Sequence, residues 1–513
     1  MFKKILKGTL ILTIFGIITK LIGFYYRIFI AENIGATGVG IYQMALPLLG
    51  LFAAIGNAGI ELTTSLIISE SKTKKSELIN LRKCFFVSIF LSTIATVLLV
   101  VCIPFIGNLY PNNMYIEHML FLLSPTILLM SLHSVISGYF LSKNNTINPG
   151  VSLCLENLSK LLFMMIFVSL CDTQKYAITP IVCAVSILFS EIISTGYSFI
   201  SFFRHKRKHF KPDTIQINAN IQNPDFIFRY KEIIKLIMPI SFTRTLLSFI
   251  HSFESTLIPI LLIYYGYSEE FSIGLFGAIT GMSLPFILFP LAITTSLSQV
   301  LLPSISNAVA NNDAKTISYN SSKAIQFSMA LGIFLTGLFL TFGNNLGIIF
   351  FNSKNVGYFL TLFAWLCPFI YVEVTMSSII HGFGLTKATC VYNIISSFIR
   401  VIAIILIVPN YGIIGYLIGI LIGEITNTIL TALKVKKICH LHYSLRNNLF
   451  KPVAYTIISV GFGLVLGVIV DDINIFPHNL VIILNCIISC LVFFGLFYFD
   501  PTIRKVLPDI HNN

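Results

Sequence analysis

Fourteen long, mainly apolar stretches separated by short polar connections dominate this sequence. A bilayer-spanning helix needs about 20 such residues, and the stretches run at approximately 7–31, 41–69, 84–108, 119–141, 151–171, 177–203, 233–265, 273–303, 323–350, 356–383, 389–408, 412–434, 451–470 and 478–498. Composition closes off the alternatives. Hydrophobic residues make up 56% of the chain and charged residues 11%, less than half the roughly 25% usual in soluble proteins. A soluble enzyme, a disordered chain and a secreted disulfide scaffold are therefore excluded. The expected fold is an all-α polytopic membrane protein with 14 transmembrane helices.

The net charge of +13 does not point to nucleic acid, because the basic residues lie in runs between apolar segments. Counting the connections places 26 Lys and Arg on one side of the membrane; the other side holds only Lys175 and Lys354. Basic residues favour the cytoplasmic side. Both termini are thus expected in the cytoplasm, with the chain in a bacterial cytoplasmic (inner) membrane. Lys3-Lys4 followed by an apolar run resembles a secretion signal, but the run continues to about Ile30, too long for one; it reads as a retained first helix. The ten cysteines form no C-x-x-C pair, and Cys102, Cys154, Cys183, Cys367, Cys390 and Cys486 fall in apolar stretches as packing residues.

An internal repeat organises the spans. The longest connection, about 204–232, is basic and carries Pro212 and Pro224. It divides the first twelve spans into six and six. Met44, Leu46, Pro47, Ala54, Ile55 and Ile67 recur 238 residues later as Met282, Leu284, Pro285, Ala292, Ile293 and Ile305. Repeats with an even number of spans are parallel. The domain reading is an N-lobe over 1–205, a cytoplasmic linker over 206–232, a C-lobe over 233–438, and two C-terminal helices with a cytoplasmic tail over 439–513. Two bundles facing one cavity favour an alternating-access transporter over a channel, and a monomer.

Ionisable groups at membrane depth cost at least ~2.5 kcal/mol each near the centre, so they face a wet cavity or a partner. Lys20, Arg27, Lys160, Lys235, Arg244 and Arg400 are the basic ones; Glu61, Glu156, Glu191, Glu254, Glu373 and Glu424 are the acidic ones. Lys20 and Arg27, two helical turns apart, share one face of span 1. Arg244 lies in span 7, the repeat counterpart. Such cations suit an anionic substrate, because guanidinium pairs with phosphate in a bidentate fork; snorkelling is the competing reading for Arg27 and Lys235. Glu156 and Lys160 are i,i+4 on span 5 and pair structurally. Arg400 pairs with Glu373 or Glu424, also a structural role. Glu61 and Glu254 are candidates either to bind a coupling Na⁺ or proton or to balance the arginines.

No cofactor or metal is expected. Cys439-His440-Leu441-His442 has no further ligands nearby, and no Gly-Lys phosphate-loop signature or H-E-x-x-H occurs. Energy must come from an ion gradient, the membrane potential or the substrate gradient.

The stretch from Lys7 to Glu70 carries K-G-T-L, Lys20-x-x-Gly23-Phe24 with Arg27, Ile34-Gly35, and Gly38-x-Gly40-x-Tyr42. It resembles the opening of the stage V sporulation protein B group. That group belongs to the polysaccharide-biosynthesis branch of the multidrug/oligosaccharidyl-lipid/polysaccharide exporter superfamily, related to MurJ-type lipid II flippases. The resemblance implies a two-lobe bundle that flips undecaprenyl-pyrophosphate-linked saccharide, here a peptidoglycan precursor with spore cortex as a destination. It also implies that Arg27 and Arg244, with Lys20, hold the pyrophosphate. The expected partners are that lipid-linked saccharide and the membrane, with no nucleic acid. Two other readings stand beside it. A cation-coupled multidrug or small-molecule antiporter of the same superfamily should place acidic groups in the first lobe's cavity. A membrane-embedded glycosyltransferase or polymerase partner should carry a large catalytic outer loop, and no outer connection exceeds about a dozen residues.

Overall fold

The computed structural model describes residues 2–71, 73–108, 114–143, 145–174, 179–209, 227–439, 441, 444–472 and 477–500. The described residues are almost entirely helical, and twelve helical stretches are long and apolar enough to cross a membrane. Large apolar side chains such as Phe105 (71% exposed) and Leu491 (68%) point outward from them. Exposure on this scale suits a lipid environment and not water. The chain is a multi-pass membrane protein. It packs as two units, Met1–Leu257 and Ile258–Asn513.

The first unit opens with α1 (Phe2–Asn57), in which Gly35 at φ 67°, ψ 178° interrupts the helical path. Only glycine enters that region freely. Gly59, at φ 84°, then separates α1 from α2 (Ile60–Glu70). The stretch Ile14–Glu70 is 57 residues long, roughly 85 Å of helix at 1.5 Å per residue, against a hydrocarbon core of about 30 Å. Next come α3 (Lys74–Gly107), α4 (Met114–Ser142), α5 (Ile147–Gln174), α6 (Ile181–His209) and α7 (Tyr230–Tyr265). Breaking a helix in lipid frees backbone carbonyls that need donors. Ser241 of α7 supplies one, its hydroxyl lying 3.1 Å from the Ala58 carbonyl and 3.2 Å from that of Ala54, which also accepts from the Ala58 N–H. Ser252 donates to the Pro47 carbonyl at 2.6 Å. These bonds fasten most of α7 to the first unit.

The expected linker over 206–232 lies mainly outside the described residues, which resume at 227. Its end is clamped on α3: the Phe228 N–H donates to Asn80 Oδ1 at 3.1 Å, and Lys83 Nζ donates to the Phe228 carbonyl at 2.8 Å. Phe228 itself enters an apolar core with Ile60, Ile67, Leu81, Tyr139 and Phe202.

The second unit holds α8 (Glu269–Gly277), a π-helical turn (Ala278–Ser283), α9 (Leu284–Leu288), α10 (Leu291–Ala310), α11 (Ala314–Phe351), α12 (Lys354–Phe363), a 3₁₀ turn (Ala364–Leu366), α13 (Cys367–Gly382), α14 (Thr386–Ile438), a second π-helical turn (Arg446–Phe450), α15 (Lys451–Asp472) and α16 (His478–Phe499). Span 8, read from the sequence as one stretch over 273–303, is broken before Leu291. Pro290 has no N–H to continue the ladder, and the Tyr371 hydroxyl donates to the Ile287 carbonyl at 2.6 Å. In α14 the interruption is Gly412, at φ 57°, ψ −132°. A Cβ on Gly415 would lie 2.8 Å from the Ile407 carbonyl carbon, so the chain folds back there with its two arms in close contact. The unit's core joins Leu301, Ile305, Ile325, Val372, Ile379 and Val435, and Phe334 stacks on Phe493 with centroids 4.2 Å apart.

Candidate functional site: charges within the membrane helices

In the first unit the intramembrane charges converge. Arg27 is half-buried on α1, seven residues beyond the exposed Lys20 along continuous helix. Beside Arg27 sits Tyr26, 2% exposed, whose hydroxyl lies 3.0 Å from Ser186 Oγ on α6. Lys160 of α5 places its ammonium 5.0 Å from the centroid of the Tyr26 ring. Lys160 is within electrostatic reach of Glu156, Arg27 and Glu191, and Arg27 within reach of buried Tyr42. Two cations and two carboxylates from α1, α5 and α6 therefore form one cluster around two tyrosines. Glu156 and Lys160 are expected from sequence as a structural pair; helix packing also brings Arg27 and Glu191 within electrostatic reach of Lys160. Glu191, assigned no role from sequence, is 3% exposed, and its Oε2 has no hydrogen-bond partner.

The remaining candidates in this unit stand apart in character. Arg244 on α7 is exposed, with no ion pair among the described residues. Glu254 is 7% exposed, and His251 Nδ1 approaches its Oε2 at 3.9 Å. Glu61, exposed in the first turn of α2, accepts a hydrogen bond from Ser137 Oγ at 2.6 Å. Lys235 is exposed near the start of α7.

In the second unit, the two partners open to Arg400 resolve to one: its Nη1 lies 3.8 Å from Glu424 Oε1. Glu373 instead accepts from Ser377 Oγ at 2.7 Å. It lines a recess of about 350 Å³ together with Gln299, Leu302, Val374, Ser377, His381 and Asn393. His381 Nε2 lies 2.8 Å from Thr389 Oγ1. Among the described residues, no group of three or more His, Cys, Asp and Glu side chains could hold a metal ion. His440 and His442 of the Cys439–His442 run lie outside the described residues.

Residues 5–309, more than half of the chain, match the family described as polysaccharide biosynthesis protein. The chain belongs to that family. Among curated relatives, stage V sporulation protein B of Bacillus subtilis (strain 168) is 24% identical over 446 residues, covering 84% of each chain. Two solved structures share the fold. One is a lipid II flippase MurJ in an inward closed conformation, with a TM-score of 0.72 at 17% identity, covering 97% of this chain and 99% of that one. The other is a multidrug resistance MATE family transporter of the MOP superfamily in an inward-facing conformation, with a TM-score of 0.60 at 15% identity, covering 82% and 97%. By name these two are a flippase and a transporter, not enzymes.

Proposed function

We propose that this protein is a flippase that carries undecaprenyl-pyrophosphate-linked saccharide across the bacterial cytoplasmic membrane by alternating access. The cargo is a peptidoglycan precursor, and the spore cortex is its destination. One observation supports this reading: in a member of the polysaccharide biosynthesis family, a guanidinium lies within the first long apolar helix, half-buried beside two buried tyrosines. A diphosphate and its sugar cannot enter hydrocarbon without losing the water that solvates them. Arg27 supplies a bidentate partner for one phosphate, and Arg244 and Lys20 supply further positive charge.

The architecture under this proposal has fourteen crossings. The stretches Ile14–Glu70 and Thr386–Ile438 each contain a non-helical glycine, and each is read as two crossings. The sequence repeat then gives two six-helix lobes and two C-terminal helices, with both termini in the cytoplasm as the distribution of Lys and Arg requires.

The test is transport by the purified full chain in vesicles, comparing lipid II, other undecaprenyl-diphosphate saccharides and a cationic dye. Movement of at least one diphosphate-linked saccharide, with the dye left behind, is the expected result. Dye transport alone would replace the proposal with a cation-coupled antiporter, the reading that the likeness to the MATE transporter fold favours.

A further inference from the structure

A second polar cavity lies where none of the transport residues are. It occupies about 480 Å³ between the first turns of α11 and the segment leading into α15, and Tyr319, Ser322, Lys323, Gln326, Asn447 and Asn448 line it. Gln326 is 7% exposed and holds the wall together, its amide donating to the Asn447 carbonyl at 3.3 Å. Asn448 is 6% exposed. The described lining contains an ammonium, amides and hydroxyls but no carboxylate. Asp500, which is not part of the described lining, accepts from Lys451 Nζ at 2.7 and 3.0 Å and from the Tyr455 hydroxyl at 2.8 Å, and it also reaches Lys323 electrostatically. Among the described lining residues, the charged side chain is Lys323. This lining suits an anion.

A second feature selects a lipid over a free ion. The turn that forms one wall has a polar centre and apolar flanks: Arg446, Asn447 and Asn448 are polar, while Leu445, Leu449 and Phe450 are exposed at 56%, 38% and 64%. An amphipathic turn with apolar side chains outward beside a basic pocket matches the boundary between headgroups and acyl chains, and basic pockets between membrane helices bind anionic headgroups. We propose that this cavity binds the phosphate headgroup of an anionic membrane phospholipid. Lys323 is the counter-charge, Ser322, Asn447 and Asn448 are hydrogen-bond donors, and Leu445, Leu449 and Phe450 lie against the acyl chains. The ligand is a resident lipid, so the site does not depend on what the protein transports.

The experiment is native mass spectrometry of the purified full chain in detergent with phosphatidylglycerol, with phosphatidylcholine, and with phosphatidylglycerol plus millimolar inorganic phosphate. The wild type should retain one phosphatidylglycerol more tightly than phosphatidylcholine. Lys323→Gln should weaken that binding about fivefold, the contribution of one basic side chain near a charged lipid, whereas Lys387→Gln, at an exposed position at the start of α14, should not change it. Ser444→Asp, which adds a carboxylate at an exposed position of the rim, should weaken it similarly and serves if Lys323→Gln fails to accumulate. Equal retention of both lipids, or unchanged binding in the Lys323 and Ser444 variants, would overturn the proposal. Complete displacement by inorganic phosphate would overturn the lipid assignment in favour of a free anion.

Discussion

At the scale of single residues, the decisive feature is how the chain tolerates charge in hydrocarbon. Lys160 sits within reach of the carboxylates of Glu156 and Glu191, which offset its charge, and of the like-charged Arg27, which opposes it. Removing one member of a buried ionic group leaves the others uncompensated, which costs about 3–5 kcal/mol. Lys160→Met should therefore lower the thermal unfolding midpoint sharply in detergent. Adding Glu191→Gln should recover part of the loss, because the second change removes a carboxylate that has lost its cation; no recovery in the double variant would argue against a shared cluster. That Glu156 and Lys160 share one face of a helix was legible from their i,i+4 spacing. Glu191 was not, because its membership depends on how α6 is rotated against α5, which a single sequence does not encode in any local pattern. Arg400 is a different case. It and Glu424 each lie twelve residues from Gly412, so a hairpin folded at that glycine brings them side by side. The signal was present, but it required reading Gly412 as the fold-back point.

Among the elements, glycines and serines shape the helices as much as apolar residues do. The apolar runs announced the helices themselves, because lipid demands that backbone groups be satisfied internally. The breaks within them were less visible. Gly59 lies under α7, where an added Cβ would meet Ile240 Cβ at 3.1 Å, and its φ of 84° disfavours any other residue. Gly59→Ala should destabilise the protein by about 1 kcal/mol or more, read as a lower unfolding midpoint. Gly16→Ala is the control, since that site is helical and nothing lies within 4 Å of the added atom. Ser241→Ala should cost about 1 kcal/mol by depriving the Ala58 carbonyl of the Ser241 hydroxyl. If Ser241→Ala were neutral, some other group would have to satisfy that carbonyl. Periodicity could not assign α7 to a unit either. The sequence repeat places it with the C-lobe, whereas its serines bind the backbone of α1.

For the whole molecule, the proposal makes a topological claim and a functional one. With fourteen crossings, cysteines introduced at Glu32 and Asn410, each near a non-helical glycine, should react with an impermeant maleimide from outside in a cysteine-free background, and one at Lys75 only after permeabilisation. Labelling of Lys75→Cys in intact cells would mean that Ile14–Glu70 crosses once. The functional claim rests on positive charge handling a diphosphate, and it is tested most directly by flipping of the lipid-linked saccharide in vesicles holding equal amounts of folded wild type, Arg27→Ala or Arg244→Ala protein. The account predicts that each alanine variant loses at least tenfold in rate while Arg27→Lys retains part of the activity. Wild-type flipping by both alanine variants would contradict it.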